Sequence, residues 1–216
     1  RKYLIFNMIG IIDLGFSNKT SLCNTLNSLE INYQTFNDAS RCNEFSGVIL
    51  PGVGNFHAAS KELYSKNFVH ELEQYFQSGR PLLGICLGIC LGMQLLFSVS
   101  YEGGLSKGLN LISGEVVKME ESKFQTNMHI GWNQIDFNSK KKIKIFENID
   151  NEENFYFVHG YHIVQNDISL CHYTDVGESK VLAAVEKENF FGVQFHPEKS
   201  HKSGKKVLKN FVNLCA

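Results

Sequence analysis

Two cysteines stand in a glycine-rich run that could present a nucleophile. Gly-Ile-Cys-Leu occurs twice, at 84–87 and at 88–91, so Cys86 and Cys90 each lie inside a Gly-x-Cys-x-Gly pattern. This pattern is the cysteine form of the nucleophile elbow, a strand-to-helix turn that presents one reactive side chain. The flanking glycines let the backbone pack closely where a Cβ would clash. A helix that begins just after the cysteine would direct its N–H groups at the sulfur and favour the thiolate. A buried glycine-rich strand with core cysteines is the alternative interpretation.

Two other loops carry residues that suit such a nucleophile. Pro51-Gly52-Val53-Gly54 follows an apolar run, and its N–H groups could converge on an anion, as an oxyanion hole does. His196 also follows an apolar run, with Glu198 two residues later. A histidine can take the thiol proton and return it to a leaving amine, while a carboxylate on its far nitrogen fixes its tautomer. Cysteine, histidine and glutamate at strand ends of one α/β sheet would suit acyl transfer by sulfur.

The elements that must position these residues alternate between strands and helices as far as Gly104. The predicted strands there lie at 8–12, 33–36 and 45–50, and a fourth strand enters the elbow. Three helices are predicted: one with Leu22, Leu26 and Leu29 on one face, one with Phe68, Leu72, Tyr75 and Phe76 on one face, and an elbow helix at 91–97. Beyond Gly104 we predict strands at 111–119, 128–137, 154–164, 168–174, 181–185 and 190–195, and a final helix at about 202–214. This order predicts an α/β fold with a largely parallel central sheet and an antiparallel, strand-rich second half.

Composition narrows the function classes. The chain has 216 residues, 43% of them hydrophobic, which suits one domain over residues 1–216, with residues 1–7 as a candidate N-terminal extension. A net charge of −1 and a pI near 6.8 do not indicate nucleic acid or an anionic membrane as a partner. The six cysteines form no CxxC pair, so we expect neither a zinc site nor a disulfide framework, and a reducing, cytoplasmic setting.

Several short motifs follow one another in an order typical of one enzyme family. They are Ile11-Ile12-Asp13 with Gly15 and Asn18; Leu50 to Gly54; Cys90 to Phe97; Gly108-Leu109 with Gly114-Glu115-Val116; His129-Ile130-Gly131-Trp132-Asn133; Tyr156-Phe157-Val158-His159; and Gly192 to Ser200. Together they resemble the class I glutamine amidotransferases, and most closely the HisH branch of that family. The resemblance implies a flavodoxin-like three-layer sandwich.

The resemblance also implies roles for individual residues. Cys90 would attack the carboxamide of glutamine, His196 would be its base, and Glu198 would orient His196. Gly52 would help to hold the oxyanion. The implied glutamine-contacting residues are Gln94 and the backbone of His159, Gly160 and Tyr161.

The resemblance further implies a partner and no cofactor or metal. Ammonia would pass to a HisF-type (β/α)-barrel cyclase, which would use it to make imidazole glycerol phosphate in histidine biosynthesis. The positions that would face this partner are Asn18, Trp132, Tyr156 and Lys199.

Three points of the sequence depart from the family pattern or leave a choice open. The loop at 13–18 lacks the usual tyrosine and second glycine, and Gly160 stands where Ser or Thr is common. A paralogue that feeds ammonia to a sugar amidotransferase in surface-polysaccharide synthesis is therefore an alternative, and the doubled elbow makes a catalytically inactive binding subunit a second one. The doubled elbow adds four residues; Cys90 keeps the family spacing to Gln94, whereas Cys86 keeps the spacing to the preceding strand. We expect Cys90 to be the nucleophile, Cys86 to be a buried thiol, and the extra residues to lie near 80–83.

Overall fold

The computed structural model describes residues 8–15, 19–52, 54–86, 91–137, 141–165 and 169–216. The strands are β1 (Ile9–Ile12), β2 (Tyr33–Phe36), β3 (Gly47–Gly52), β4 (Leu82–Cys86), β5 (Val99–Ser100), β6 (Ser106–Lys107), β7 (Gly114–Lys118), β8 (His129–Gln134), β9 (Asn154–His159), β10 (Tyr161–Gln165), β11 (Leu170–Val176), β12 (Ser179–Lys187) and β13 (Phe190–Val193). The α-helices are α1 (Thr20–Ser28), α2 (Phe56–Ser65), α3 (Phe68–Gln77), α4 (Glu121–Phe124) and α5 (His201–Asn213).

A seven-stranded sheet in the order β11-β12-β13-β4-β3-β1-β2 forms the centre of the molecule. The five strands from β13 to β2 run parallel to one another, whereas β12 is antiparallel to both of its neighbours, β13 and β11. Two apolar clusters carry the core: one includes residues of α2 and α3, the other residues of α1 and α5. The predicted α/β fold with an antiparallel second half is confirmed.

Two smaller sheets belong to the second half of the chain. One has the order β10-β7-β5-β6, and the other pairs β8 with β9. The single strand predicted over 154–164 was wrong, because the chain changes sheets at Gly160 and forms β9 and β10. In the β8–β9 pair, His129 lies opposite His159 and Trp132 opposite Tyr156.

Two helices differ from the prediction. Helix α2 was missed, although Phe56, Ala59, Ser60 and Leu63 form its buried face at helical spacing and the Asn55 side chain caps it by accepting from the N–H of Ala58 (3.2 Å). The elbow helix expected over 91–97 was also wrong: within the described residues this stretch holds one 3₁₀ helix, Gln94–Leu96. Among the described residues no helix is long and apolar enough to cross a membrane.

Candidate active site

Three of the predicted loops converge at one edge of the central sheet. β3 ends at Gly52, which pairs with Cys86, the last residue of β4. β13 pairs with β4 on its other side, with Val193 opposite Ile85, and His196 follows three residues after Val193. The carboxyl ends of parallel strands meet at one edge of a sheet, which is where open α/β folds place their sites. The glycine loop, the first cysteine and the histidine are therefore brought together, as predicted.

Three glycines bring the backbone on the two sides of the doubled elbow into close contact. In an elbow, the glycines two residues before and after the nucleophile allow the two backbones to approach. Here Gly84 packs against the carbonyl of Gly92, and a Cβ on Gly52 would overlap the amide nitrogen of Gly92. Gly84 lies two residues before Cys86, whereas Gly92 lies two residues after Cys90. The contact therefore joins a glycine of the first Gly-Ile-Cys-Leu copy to the glycine that follows the second copy. β4 pairs regularly from Leu82 to Cys86, and the location of the four extra residues near 80–83 stays a prediction.

Of the two elbow cysteines, Cys86 lies within the described residues. Cys86 is fully buried, as expected, and its Sγ accepts a hydrogen bond from Nε2 of Gln194 (3.3 Å). Cys90 lies outside the described residues, as does Val53 of the glycine loop. The role of Cys90 as nucleophile and that of Gly52 in the oxyanion hole stay predictions.

His196 and Glu198 form a buried pair. Nδ1 of His196 lies 2.9 Å from Oε1 of Glu198, and the two side chains are 0% and 1% exposed. The histidine backbone is fixed as well, because its N–H donates to the carbonyl of Tyr156 (2.9 Å) and its carbonyl accepts from the hydroxyl of Ser200 (2.6 Å). A carboxylate on Nδ1 holds that nitrogen protonated and leaves Nε2 as the basic nitrogen. The arrangement suits a general base.

Gln94 connects the elbow segment to the turn between β9 and β10. Its buried Nε2 donates to the carbonyl of Tyr161 and to Oε1 of Gln194, both at 3.2 Å. Gln194 in turn donates to Cys86, so one hydrogen-bonded row joins Tyr161, Gln94, Gln194 and Cys86. Two of the predicted glutamine-contacting groups, Gln94 and the 159–161 backbone, are thus in contact. Gln194 was missed, although its position two residues before His196 places it on the same side of an extended chain.

The side chain of His159 holds the turn at 159–161, whereas the sequence indicated only a backbone role for this residue. Nδ1 of the buried His159 lies 2.8 Å from the carbonyl of Tyr161, and its Nε2 lies 3.0 Å from Nδ1 of His129. Burial and the neighbouring His129 lower the pKa of His159 to about 3. Gly160 lies outside the left-handed region, and a Cβ there would make only ordinary contacts, the nearest at 3.4 Å to the carbonyl of Asn127.

The residues expected at the partner face lie next to one another where the structure describes them. Trp132 is 45% exposed and is not a core residue; its ring centroid lies 5.5 Å from that of Tyr156. Nζ of Lys199 lies 5.7 Å from the Tyr156 ring, and that ring lies 6.1 Å from the imidazole of His196. This exposed cluster therefore borders the candidate site. Asn18 lies outside the described residues.

One carboxylate near the glycine loop was also missed. Glu102 accepts a hydrogen bond from the N–H of Phe56 (3.2 Å), in the first turn of α2, just beyond the loop. Burial raises the pKa of Glu102. Its sequence neighbours gave no signal, because the contact joins residues 46 positions apart. Within the described ranges no cluster of His, Cys, Asp and Glu side chains could hold a metal ion.

Comparison with known proteins places this site in a family. The family model "Glutamine amidotransferase class-I" matches residues 10–215. The chain is 37% identical over 212 residues to the imidazole glycerol phosphate synthase subunit HisH of Pelagibacter ubique, covering 95% of this chain and 99% of that one. It is 39% identical to the protein of the same name from Syntrophotalea carbinolica, covering 96% and 100%.

Solved structures agree at the level of the fold. PurLQS from Thermotoga maritima superposes with a TM-score of 0.72 at 19% identity, covering 97% of this chain and 99% of that one. A GMP synthase component from Thermoplasma acidophilum gives 0.69 at 18% identity, covering 99% and 96%. With the family model matched over nearly the whole length, the chain belongs to the class I glutamine amidotransferase family.

Proposed function

We propose that this chain is the glutaminase subunit of an imidazole glycerol phosphate synthase, acting in histidine biosynthesis. The relatives that carry this activity in their names match almost the whole chain. The observation that carries the chemistry is the buried His196–Glu198 pair at the sheet edge where Gly52 and the doubled elbow meet.

The proposed reaction is a two-step acyl transfer. Nε2 of His196 takes the proton of the Cys90 thiol, and the thiolate attacks the side-chain carbonyl of glutamine, with Gly52 at the developing oxyanion. His196 then protonates the leaving nitrogen, and the C–N bond breaks. Ammonia departs, and the acyl group remains on the cysteine as a thioester. Water, deprotonated by His196, hydrolyses that thioester to glutamate and restores the thiol. Glu198 keeps the proton on Nδ1 throughout.

The substrate would lie against both Gln94 and the turn at 159–161. Their direct contact supports this placement, because a single ligand can reach both. Carbonyl and N–H groups of an exposed turn can bind the amino and carboxyl groups of an amino acid. The burial of His159 supports a backbone role for it in place of an acid–base one.

The proposed acceptor of ammonia is a HisF-type (β/α)-barrel cyclase subunit, which would dock on the cluster of Trp132, Tyr156 and Lys199. Exposed aromatic residues beside a cation are typical anchors of protein interfaces. An open groove of about 750 Å³ continues from this cluster along Trp132, Asn154 and His201. The cluster borders His196, so a bound partner would receive ammonia close to where it forms.

The decisive experiment joins activity to trapping. The full chain is assayed for glutamine hydrolysis alone and with a histidine-pathway cyclase subunit, whose product is followed with glutamine as the nitrogen source. We expect low hydrolysis alone, strong stimulation by the cyclase subunit, and imidazole glycerol phosphate as product. A glutamine-mimicking diazo-ketone should label one cysteine, identified by mass spectrometry. Stimulation only by a sugar-modifying acceptor enzyme would replace the histidine assignment, and absence of any adduct on Cys86 or Cys90 would show an inactive binding subunit.

A further inference from the structure

Two buried histidines share one row of hydrogen bonds whose two ends are both acceptors. Nε2 of His129 lies 2.9 Å from Oδ1 of Asn133, and Nδ1 of His129 lies 3.0 Å from Nε2 of His159. Nδ1 of His159 lies 2.8 Å from the carbonyl of Tyr161. The Asn133 amide cannot be turned around, because its Nδ2 donates to the carbonyl of Asp175 (2.9 Å). The row therefore begins on an amide oxygen and ends on a peptide oxygen.

A proton count limits how this row can be filled. Each of its three contacts needs one proton, but two neutral imidazoles carry only two N–H groups. With neutral histidines one contact must go without a proton. The His129–His159 contact is buried, and the contacts at both ends of the row are partly buried. His129 is 6% exposed and His159 only 1%, so water compensates for a missing bond more readily at the Asn133 end, where the nitrogen belongs to His129. The two protons therefore belong on the His129–His159 contact and on the His159–Tyr161 contact.

We propose that His129 is a positioning residue, which donates its Nδ1 proton to Nε2 of His159 and thereby keeps the Nδ1 proton of His159 on the Tyr161 carbonyl. This inference rests on the proposed function, in which the 159–161 turn binds glutamine. The Tyr161 carbonyl also accepts from Gln94, so the same oxygen joins the turn to the elbow segment. If His159 changed tautomer, a lone pair would face that oxygen and the turn would lose its support.

The surroundings of the pair disfavour a third proton. The ring of His129 stacks on Phe157 at 4.8 Å, and the titratable groups acting on His159 are His129, His162 and His196. Burial lowers the pKa of His129, while its bond to Asn133 opposes that shift. The burial of both rings, the neighbouring imidazoles and the apolar Phe157 ring therefore oppose a positive charge on the pair. A third proton should enter only in acid, and it would complete the contact with Asn133.

The test separates hydrogen bonding from packing. His129→Phe keeps an aromatic ring on Phe157 and removes both hydrogen bonds. In the full chain with ¹⁵N-labelled histidine, we expect His159 to be the Nδ1–H tautomer in the wild type, and we expect the ¹⁵N signal of its Nε2 to move in the variant to that of a nitrogen without a hydrogen-bond donor. With the cyclase subunit present, the KM for glutamine should rise about tenfold, the size of one lost buried hydrogen bond, with kcat within about twofold. His129→Gln supplies an amide donor and should recover most of the affinity.

The matched control is His172→Phe, a change at a buried histidine that lies among Phe137 and Phe146. The inference is overturned if wild-type His159 carries its proton on Nε2, if the Nε2 signal of His159 is unchanged in His129→Phe, or if the control raises KM equally. A wild-type titration needs no variant: the ¹⁵N signals of His129 and His159 should move together at one acidic midpoint, and independent midpoints would overturn the shared row. The tautomer is measured by NMR without turnover. Failure of this inference can therefore be distinguished from absence of the proposed glutaminase activity.

Discussion

At the scale of the residue, Glu198 is buried and therefore needs a hydrogen-bond partner for its carboxylate. A carboxylate that is 1% exposed costs free energy unless it is hydrogen-bonded, and Nδ1 of His196 provides that bond. Removing its charge leaves the imidazole free to adopt the wrong tautomer.

We expect Glu198→Gln to lower kcat for glutamine hydrolysis by at least about 100-fold while KM changes little, because the carboxylate acts on the base and not on the substrate. The measurement is steady-state hydrolysis with the cyclase subunit. Glu186→Gln is the matched control: Glu186 is also buried and paired, with Lys144 (3.1 Å), but on β12. Equal losses in the two variants would mean that the effect is one of stability.

The doubled elbow yields a second prediction at this scale. Cys86 is buried at the end of β4 and receives a hydrogen bond from Gln194, so serine can replace it with a similar bond. We expect Cys86→Ser to keep more than about half of the activity and Cys90→Ser to abolish it, since a serine hydroxyl is a far weaker nucleophile than a thiolate. Adduct mapping with the diazo-ketone in each variant provides the check. Full activity in Cys90→Ser would assign the reaction to Cys86.

At the scale of the element, the sequence predicted strands and the final helix well where periodicity was strong. Helix α5, expected at about 202–214, is found at His201–Asn213. The strand at 33–36 was predicted without error. Helix α2 had both its apolar face and its Asn55 cap in the sequence, so it could have been found.

Other features of the site could not be predicted from local sequence. The change of sheets at Gly160 depends on pairing partners distant in the chain, and so does the contact of His129 with His159. The His-Pro-Glu run was informative because its two functional residues, His196 and Glu198, are only two positions apart in the sequence. Glu102 and Gln194 needed the tertiary structure, since their partners lie 46 and 108 positions away.

Two glycines near the site differ in the space that the surrounding backbone leaves for a Cβ. A Cβ on Gly92 would overlap the carbonyls of Ile85 and Leu50, whereas one on Gly160 would fit. We expect Gly92→Ala to destabilise the chain by about 3 kcal/mol, since neither strand carbonyl can move aside. Gly160→Ala should change stability by at most about 1 kcal/mol, with a stabilising sign from the reduced entropy of the unfolded chain. Urea unfolding measures both, and similar values for the two would contradict this packing.

At the scale of the whole molecule, buried histidines link stability to pH. Burial lowers the pKa of His129, His159, His162 and His172. Their pKa in the unfolded chain is about 6.5, so between that pH and their lower folded pKa the unfolded state binds more protons. Stability should therefore be complete above about pH 7 and fall as the pH decreases below about 6.5.

His172→Phe tests this linkage at one position. His172 is 1% exposed, lies against Phe137 and Phe146, and accepts a hydrogen bond from the N–H of Ile143 (3.2 Å). Each such histidine contributes up to about 1.4 kcal/mol per pH unit to the slope of unfolding free energy. The variant loses one contribution, so its slope between pH 6 and 5 should be shallower by up to that amount, even if the lost bond lowers stability at every pH.

The measurement is urea unfolding at half-unit pH steps from 8 to 5, with His70→Gln, a change at an exposed histidine, as the control. A uniform decrease in stability with an unchanged slope would show that His172 contributes through packing alone. A wild-type curve that is flat down to pH 5 would contradict the linkage for all the buried histidines.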